Sequence, residues 1–90
     1  MHSVKGFVSG RVQGVGFRYF VKARADKEKL AGFVRNLADG RVEFFLQGDQ
    51  PLVELVVGQI RVGPDYSWVT GMLIDAAASD PNLLSFEIRR

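Results

Sequence analysis

The sequence predicts an α+β sandwich in which a single antiparallel sheet carries two helices on one face. Two segments repeat their hydrophobic residues with a helical period, several others alternate with a period of two, and the order of the two kinds places a strand-helix-strand unit on each side of a hairpin. A chain of 90 residues, 47% of them hydrophobic, buries roughly 60 to 65% of its unfolded surface on folding, enough for one core without disulfides or a structural metal. One domain over residues 1–90 is therefore expected.

The elements follow in order. Val4, Gly6, Val8, Gly10 and Val12 alternate with Lys5, Phe7, Ser9 and Arg11, as a strand with one packed face does. Gly10, Gly14 and Gly16 then crowd a turn. From Phe17 to about Glu28, the residues Phe17, Phe20, Val21 and Ala25 recur among charged residues at three- and four-residue spacing, the pattern of an amphipathic helix. A short strand is expected over Phe33 to Ala38. Asp39-Gly40 separates it from the alternating Val42, Phe44 and Leu46, and predicts a type I′ hairpin turn with both central residues at positive φ. Pro51 opens a second helix, with Val53, Val56, Val57 and Ile60 at i, i+3, i+4 and i+7, and Gly63-Pro64 closes it. Tyr66 to Ile74 reads as a strand, Ala76 to Asn82 as a loop, and Leu84, Phe86 and Ile88 alternate in a terminal strand. The order is βαββαβ with a terminal strand, a ferredoxin-like arrangement.

Composition excludes several chemistries. With no Cys there is no disulfide framework, thiolate zinc site, cysteine nucleophile or redox pair. The one His is His2, near the start of the sequence, which argues against a histidine base or a His-ligated metal. Glu43, Glu54 and Glu87 show no paired-carboxylate spacing. The sequence has 12 Lys and Arg against 10 Asp and Glu, a net charge of +2, which lacks the dense basic footprint of a duplex-binding domain. A small anion is an easier partner than a polyanion. Neither a secretory apolar segment nor an apolar run of membrane-spanning length is found, so a cytoplasmic address without membrane contact is expected.

Two places carry candidate chemistry. In Gln13-Gly14-Val15-Gly16-Phe17-Arg18 a strand breaks into a helix through glycines. Such a loop can curl its N–H groups around an anion at the positive end of the helix dipole, and Arg18 can bring a forked guanidinium to the same anion. The same residues also suit a plain tight turn with a solvated Arg18. The nucleotide-binding loops do not fit, since no Lys-Ser/Thr follows the second glycine and Tyr19 stands where GxGxxG needs its last glycine. Asn36, in an apolar strand just before the hairpin, is the second place. Its amide either bonds its own turn or holds a water or a phosphoryl oxygen.

The segment Val8-Ser9-Gly10-Arg11-Val12-Gln13-Gly14-Val15-Gly16-Phe17-Arg18 resembles the first signature of the acylphosphatase family. Gly32-Phe33-Val34-Arg35-Asn36, followed at fixed spacing by Gly40, Val42 and Gly48, resembles its second. Gly63-Pro64 and the terminal Phe86-Glu87-Ile88-Arg89-Arg90 also look familial, so the resemblance spans nearly the whole chain. It implies a ferredoxin-like fold that hydrolyses carboxyl-phosphate anhydrides without metal or cofactor, with Arg18 binding the phosphoryl group and Asn36 positioning the attacking water. Inorganic phosphate or sulfate would then compete with a small acyl phosphate substrate, and a monomer is expected. One stretch departs from the family pattern: Glu28 and Lys29 end the first helix where a leucine and a glycine are usual, and a Lys29 forced into a left-handed cap would carry about 1 kcal/mol of strain.

The chemistry agrees with the residue inventory. An acyl phosphate leaves as a carboxylate whose conjugate acid has a pKa of about 4, so no general acid is required. Two readings from other classes remain open on sequence alone. One is RNA binding on the open sheet face through Phe7, Phe45, Tyr66 or Trp68, although Lys5-Gly6-Phe7 begins like RNP1 and then fails at Val8 and Ser9. The other is a non-catalytic anion sensor that uses the same loop.

Overall fold

A computed structural model describes residues 1–90. The elements run β1 (His2–Arg11), α1 (Phe17–Lys27), β2 (Ala31–Asn36), β3 (Val42–Gly48), α2 (Gln50–Val62), β4 (Trp68–Ala76) and β5 (Phe86–Arg89). The expected order is therefore observed, with ends displaced by a few residues. The strands form one sheet in the order β4-β1-β3-β2-β5. β1 lies antiparallel to both β3 and β4, and β2 lies antiparallel to β3.

The sheet is mixed, which corrects the antiparallel expectation: β5 runs parallel to β2, pairing Gly32 with Phe86 and Val34 with Ile88. The reason lies in the connection. β4 ends opposite the start of β1, with Ala76 beside Val4. The chain from residue 77 to 85 then stays at that end of the sheet, held by a bond from Ala77 N–H to the Ser3 carbonyl and one from Gly32 N–H to the Ser85 carbonyl. The buried Gln47 fixes the middle of this crossing, donating from Nε2 to the Asp80 and Leu83 carbonyls and accepting from Asp80 N–H. β5 therefore starts where β2 starts and runs with it.

Both helices cover one face. The core joins Val4 and Val8 of β1, Val34 of β2, Val42, Phe44 and Leu46 of β3 and Phe86 of β5 to Val21 and Ala25 of α1 and Val53, Val56 and Ile60 of α2. Gly6 makes room for it, since a Cβ there would sit 2.3 Å from the Phe44 ring. No helix is long and apolar enough to cross a membrane.

The hairpin differs from the type I′ expectation. Asp39 is not at positive φ, Gly40 is at φ 95°, and Gly40 N–H reaches the Leu37 carbonyl while Leu37 N–H reaches that of Arg41. This is a three-residue loop, a type I turn closed by a glycine bulge. Asp39 takes a different part, accepting from the Arg41 backbone N–H at 3.0 Å and from its guanidinium. These bonds lower the Asp39 carboxyl pKa from its ordinary value, the backbone bond contributing most.

The left-handed cap expected at Lys29 is present, at φ 58°. Leu30 N–H bonds the Ala25 carbonyl and Lys29 N–H that of Asp26. This is a Schellman closure with lysine in the position glycine favours.

The uncovered face is laced by cations over rings. Phe33 stacks on Phe45 at 5.8 Å between centroids, and Arg89 lies 4.1 Å above Phe33. Arg41 lies 4.6 Å over Phe7, and buried Glu43 pairs with Arg35 and Lys5. Phe45 is only 7% exposed. Phe7 and Phe45, two of the four aromatic residues that RNA stacking would need, are thus already engaged within the chain, while Tyr66 and Trp68 are exposed.

Candidate active site

β1 and β2 are each antiparallel to β3, which lies between them, so they run in the same direction and end at the same end of the sheet. α1 connects them. The turn after β1 and the last residue of β2, Asn36, therefore come together, in the crevice beyond the carboxyl ends of two strands where sheet proteins commonly bind ligands.

The turn itself alternates in backbone sign. Gly14 is at φ 73° and Gly16 at φ 78°, while no residue between Gln13 and Phe17 other than these two has positive φ. Alternation of this kind turns successive N–H groups to one side, forming a concave anion nest. A Cβ at Gly14 or Gly16 would meet nothing within 4 Å, so glycine is needed there for the backbone conformation. None of the backbone N–H groups from Gln13 to Tyr19 donates within the chain, and α1 has neither a side-chain cap nor an acidic residue in its first turn. The positive end of the helix dipole is left without a protein anion.

A cavity of about 90 Å³ opens at this point, lined by Val12, Gly14, Gly16, Phe17, Arg18, Tyr19 and Asn36. It brings together Arg18 and Asn36, which the sequence singled out in separate segments. Arg18 forms no ion pair within the chain. Asn36 makes no side-chain hydrogen bond, and its Oδ1 is buried without a partner. The turn-bonding reading of Asn36 thus has no counterpart, because Asp39 and Gln13 bond the hairpin instead.

Of the loop residues expected around an anion, Gly14, Gly16, Phe17 and Arg18 line the cavity. Val15 packs against the core, and Gln13 turns its amide away, donating to the Leu37 carbonyl at 2.8 Å and the Arg41 carbonyl at 2.9 Å. Gln13 thereby ties the loop to the hairpin that follows Asn36. Tyr19 lines the cavity without having been singled out as functional; its position directly after Arg18, outside the apolar stripe of α1, was the available signal. A larger open groove of about 530 Å³ lies between α1 and α2, but it includes neither Arg18 nor Asn36. No group of three or more His, Cys, Asp or Glu residues is placed to hold a metal ion.

Comparison with known proteins decides the family. The sequence model described as Acylphosphatase matches residues 4–88. The chain belongs to the acylphosphatase family. The acylphosphatase of Bacillus subtilis is 47% identical over 72 residues, covering 80% of this chain and 79% of that protein. That of Chlorobaculum tepidum is 46% identical over 81 residues, covering 90% and 88%. The crystal structure of acylphosphatase from Bacillus subtilis superimposes with a TM-score of 0.95 at 41% identity over the full length of both chains. Family membership supports acyl phosphate hydrolase activity in general terms, and the match to the Bacillus subtilis structure runs from β1 to β5.

Proposed function

We propose that the protein hydrolyses the carboxyl-phosphate bond of acyl phosphates, giving a carboxylate and inorganic phosphate without a metal ion. The observation that carries this reading is the meeting of Arg18, Asn36 and the glycine turn around one small cavity. The phosphoryl group sits in the nest, its peripheral oxygens taking hydrogen bonds from loop N–H groups and from the Arg18 guanidinium. A loose phosphoryl-transfer transition state gains most from such positioning and charge neutralisation. The Asn36 carboxamide oxygen accepts a hydrogen bond from the attacking water and aims its lone pair at phosphorus, in line with the leaving carboxylate oxygen. The bond from phosphorus to that oxygen breaks, and the electron pair leaves on a stable carboxylate that needs no proton from the protein. Asn36 cannot remove the water proton, so the proton passes to the transferred phosphate.

The anion-sensor reading shares the loop but leaves Asn36 without a task. Acetyl phosphate hydrolysis by the purified protein, measured with and without excess EDTA, tests the proposal. Turnover is expected to persist in EDTA. Loss of activity that a divalent ion restores would overturn the metal-free mechanism, and phosphate binding without turnover would favour the sensor.

A further inference from the structure

The cavity is too small for a whole acyl phosphate. Its volume of about 90 Å³ is well below the roughly 300 Å³ at which pockets that engulf an organic ligand start. A phosphoryl group and its attacking water fill it. The acyl group must therefore lie outside, against the rim.

The lining offers that group few partners. Val12 and Phe17 are 1% and 2% exposed and belong to the core, so neither presents a face to solvent. Gly14 and Gly16 have no side chain, and Arg18 and Asn36 are committed to phosphate and water in the mechanism proposed above. Tyr19 remains. It is 72% exposed, makes no side-chain hydrogen bond, and neither stacks on another ring nor lies under a cation of this chain. It follows Arg18 in the first turn of α1, so the residue beside the phosphate-binding guanidinium carries a large, rigid, unpartnered aromatic surface.

We propose that Tyr19 is the acyl-recognition residue: its ring packs against the organic part of the substrate and makes the enzyme prefer aromatic or bulky acyl phosphates over small aliphatic ones. This rests on the reading of the cavity as the phosphoryl site. An aromatic acyl group gains an offset-stacked or edge-to-face contact on the ring, which an acetyl group is too small to share, and such contacts change an equilibrium by about three- to tenfold.

The test compares kcat/KM for benzoyl phosphate and acetyl phosphate in the wild type, Tyr19→Ala and Tyr19→Phe. Tyr19→Ala is expected to lower the benzoyl-to-acetyl ratio by about three- to tenfold, mainly through KM for benzoyl phosphate. Tyr19→Phe keeps the ring and should keep the ratio. The inhibition constant of inorganic phosphate, which has no acyl group, should move less than twofold in either variant. A Tyr19→Ala ratio equal to that of the wild type, with both substrates turned over, would overturn the role of Tyr19 while leaving the hydrolase reading intact. A wild-type protein that hydrolyses neither substrate would bring down the hydrolase reading and this inference with it. Loss of phosphate inhibition in Tyr19→Ala would place Tyr19 in the anion site and overturn its assignment to the acyl group.

Discussion

In the proposed mechanism Asn36 and Arg18 divide the work of the site, and their substitutions should separate in kinetics. Asn36 faces the cavity with a buried, unpartnered carboxamide oxygen. Its proposed partner is the nucleophilic water, whose placement matters to the barrier more than to substrate binding. Asn36→Ala should therefore lower kcat strongly while KM and inhibition by phosphate stay nearly unchanged. The melting temperature should hold as well, because no hydrogen bond within the chain is lost. A folded variant with normal kcat would refute the assignment. In the proposed mechanism Arg18 contacts the phosphoryl group in the ground state and more strongly in the transition state, so Arg18→Ala should raise KM and lower kcat by roughly 100-fold or more. Lysine should rescue it poorly, since an ammonium lacks the guanidinium fork. Steady-state kinetics within a few-fold of wild type would mean the phosphate lies elsewhere. Both residues were legible in the sequence because each is chemically out of place, an Arg opening a helix after glycines and an Asn in an apolar strand. Tyr19 was not, because an aromatic residue beside an amphipathic stripe has the same appearance whether it meets solvent or ligand.

At the scale of elements, the cap of α1 gives a test of stability that leaves the site alone. Lys29 at φ 58° closes a Schellman motif whose hydrogen bonds use only the backbone, so glycine can replace it without losing either bond. Removing about 1 kcal/mol of left-handed strain, less about 0.5 kcal/mol for the larger entropy of glycine in the unfolded chain, leaves a gain of about 0.5 kcal/mol. For a domain of this size, Lys29→Gly should raise the melting temperature by roughly 2 to 4 °C without changing kcat. A thermal scan showing no rise would mean that neighbouring contacts of the lysine offset the strain. The tie between loop and hairpin tests the opposite case. Gln13→Ala removes two hydrogen bonds, costing about 1 to 2 kcal/mol, and frees the anion loop to move relative to Asn36. Thermal melts should show that loss, and phosphate inhibition should weaken alongside it. Element type was legible from periodicity in every case, since side-chain burial imposes it locally. The turn type and the direction of β5 were not. Asp-Gly suits two hairpin geometries, and the parallel pairing of β5 depends on buried Gln47 holding the loop between β4 and β5, a contact far from β5 in sequence.

For the molecule as a whole, the site exists only when the sheet is assembled. Arg18 and the loop follow β1, Asn36 ends β2, and the two strands are held apart and in common direction by β3, which is central in the sheet and almost wholly buried. An unfolded chain has the same residues but no nest, so on the proposed reading a tetrahedral anion binds the native state alone. Phosphate or sulfate should then raise the melting temperature by mass action: at about 100 times its dissociation constant, the added stability is about 2.7 kcal/mol. That corresponds to a rise of about 10 °C or more for a domain of this size. Chloride at matched ionic strength controls for general screening, which acts on the exposed ion pairs in any salt. Arg18→Ala should lose most of the phosphate-induced rise while keeping its own melting temperature in chloride, because Arg18 has no carboxylate partner whose charge would be left behind. Asn36→Ala should keep the rise, since its partner is the water. A rise of equal size in wild type and Arg18→Ala would place the anion on another part of the surface and remove the observation on which the hydrolytic mechanism stands.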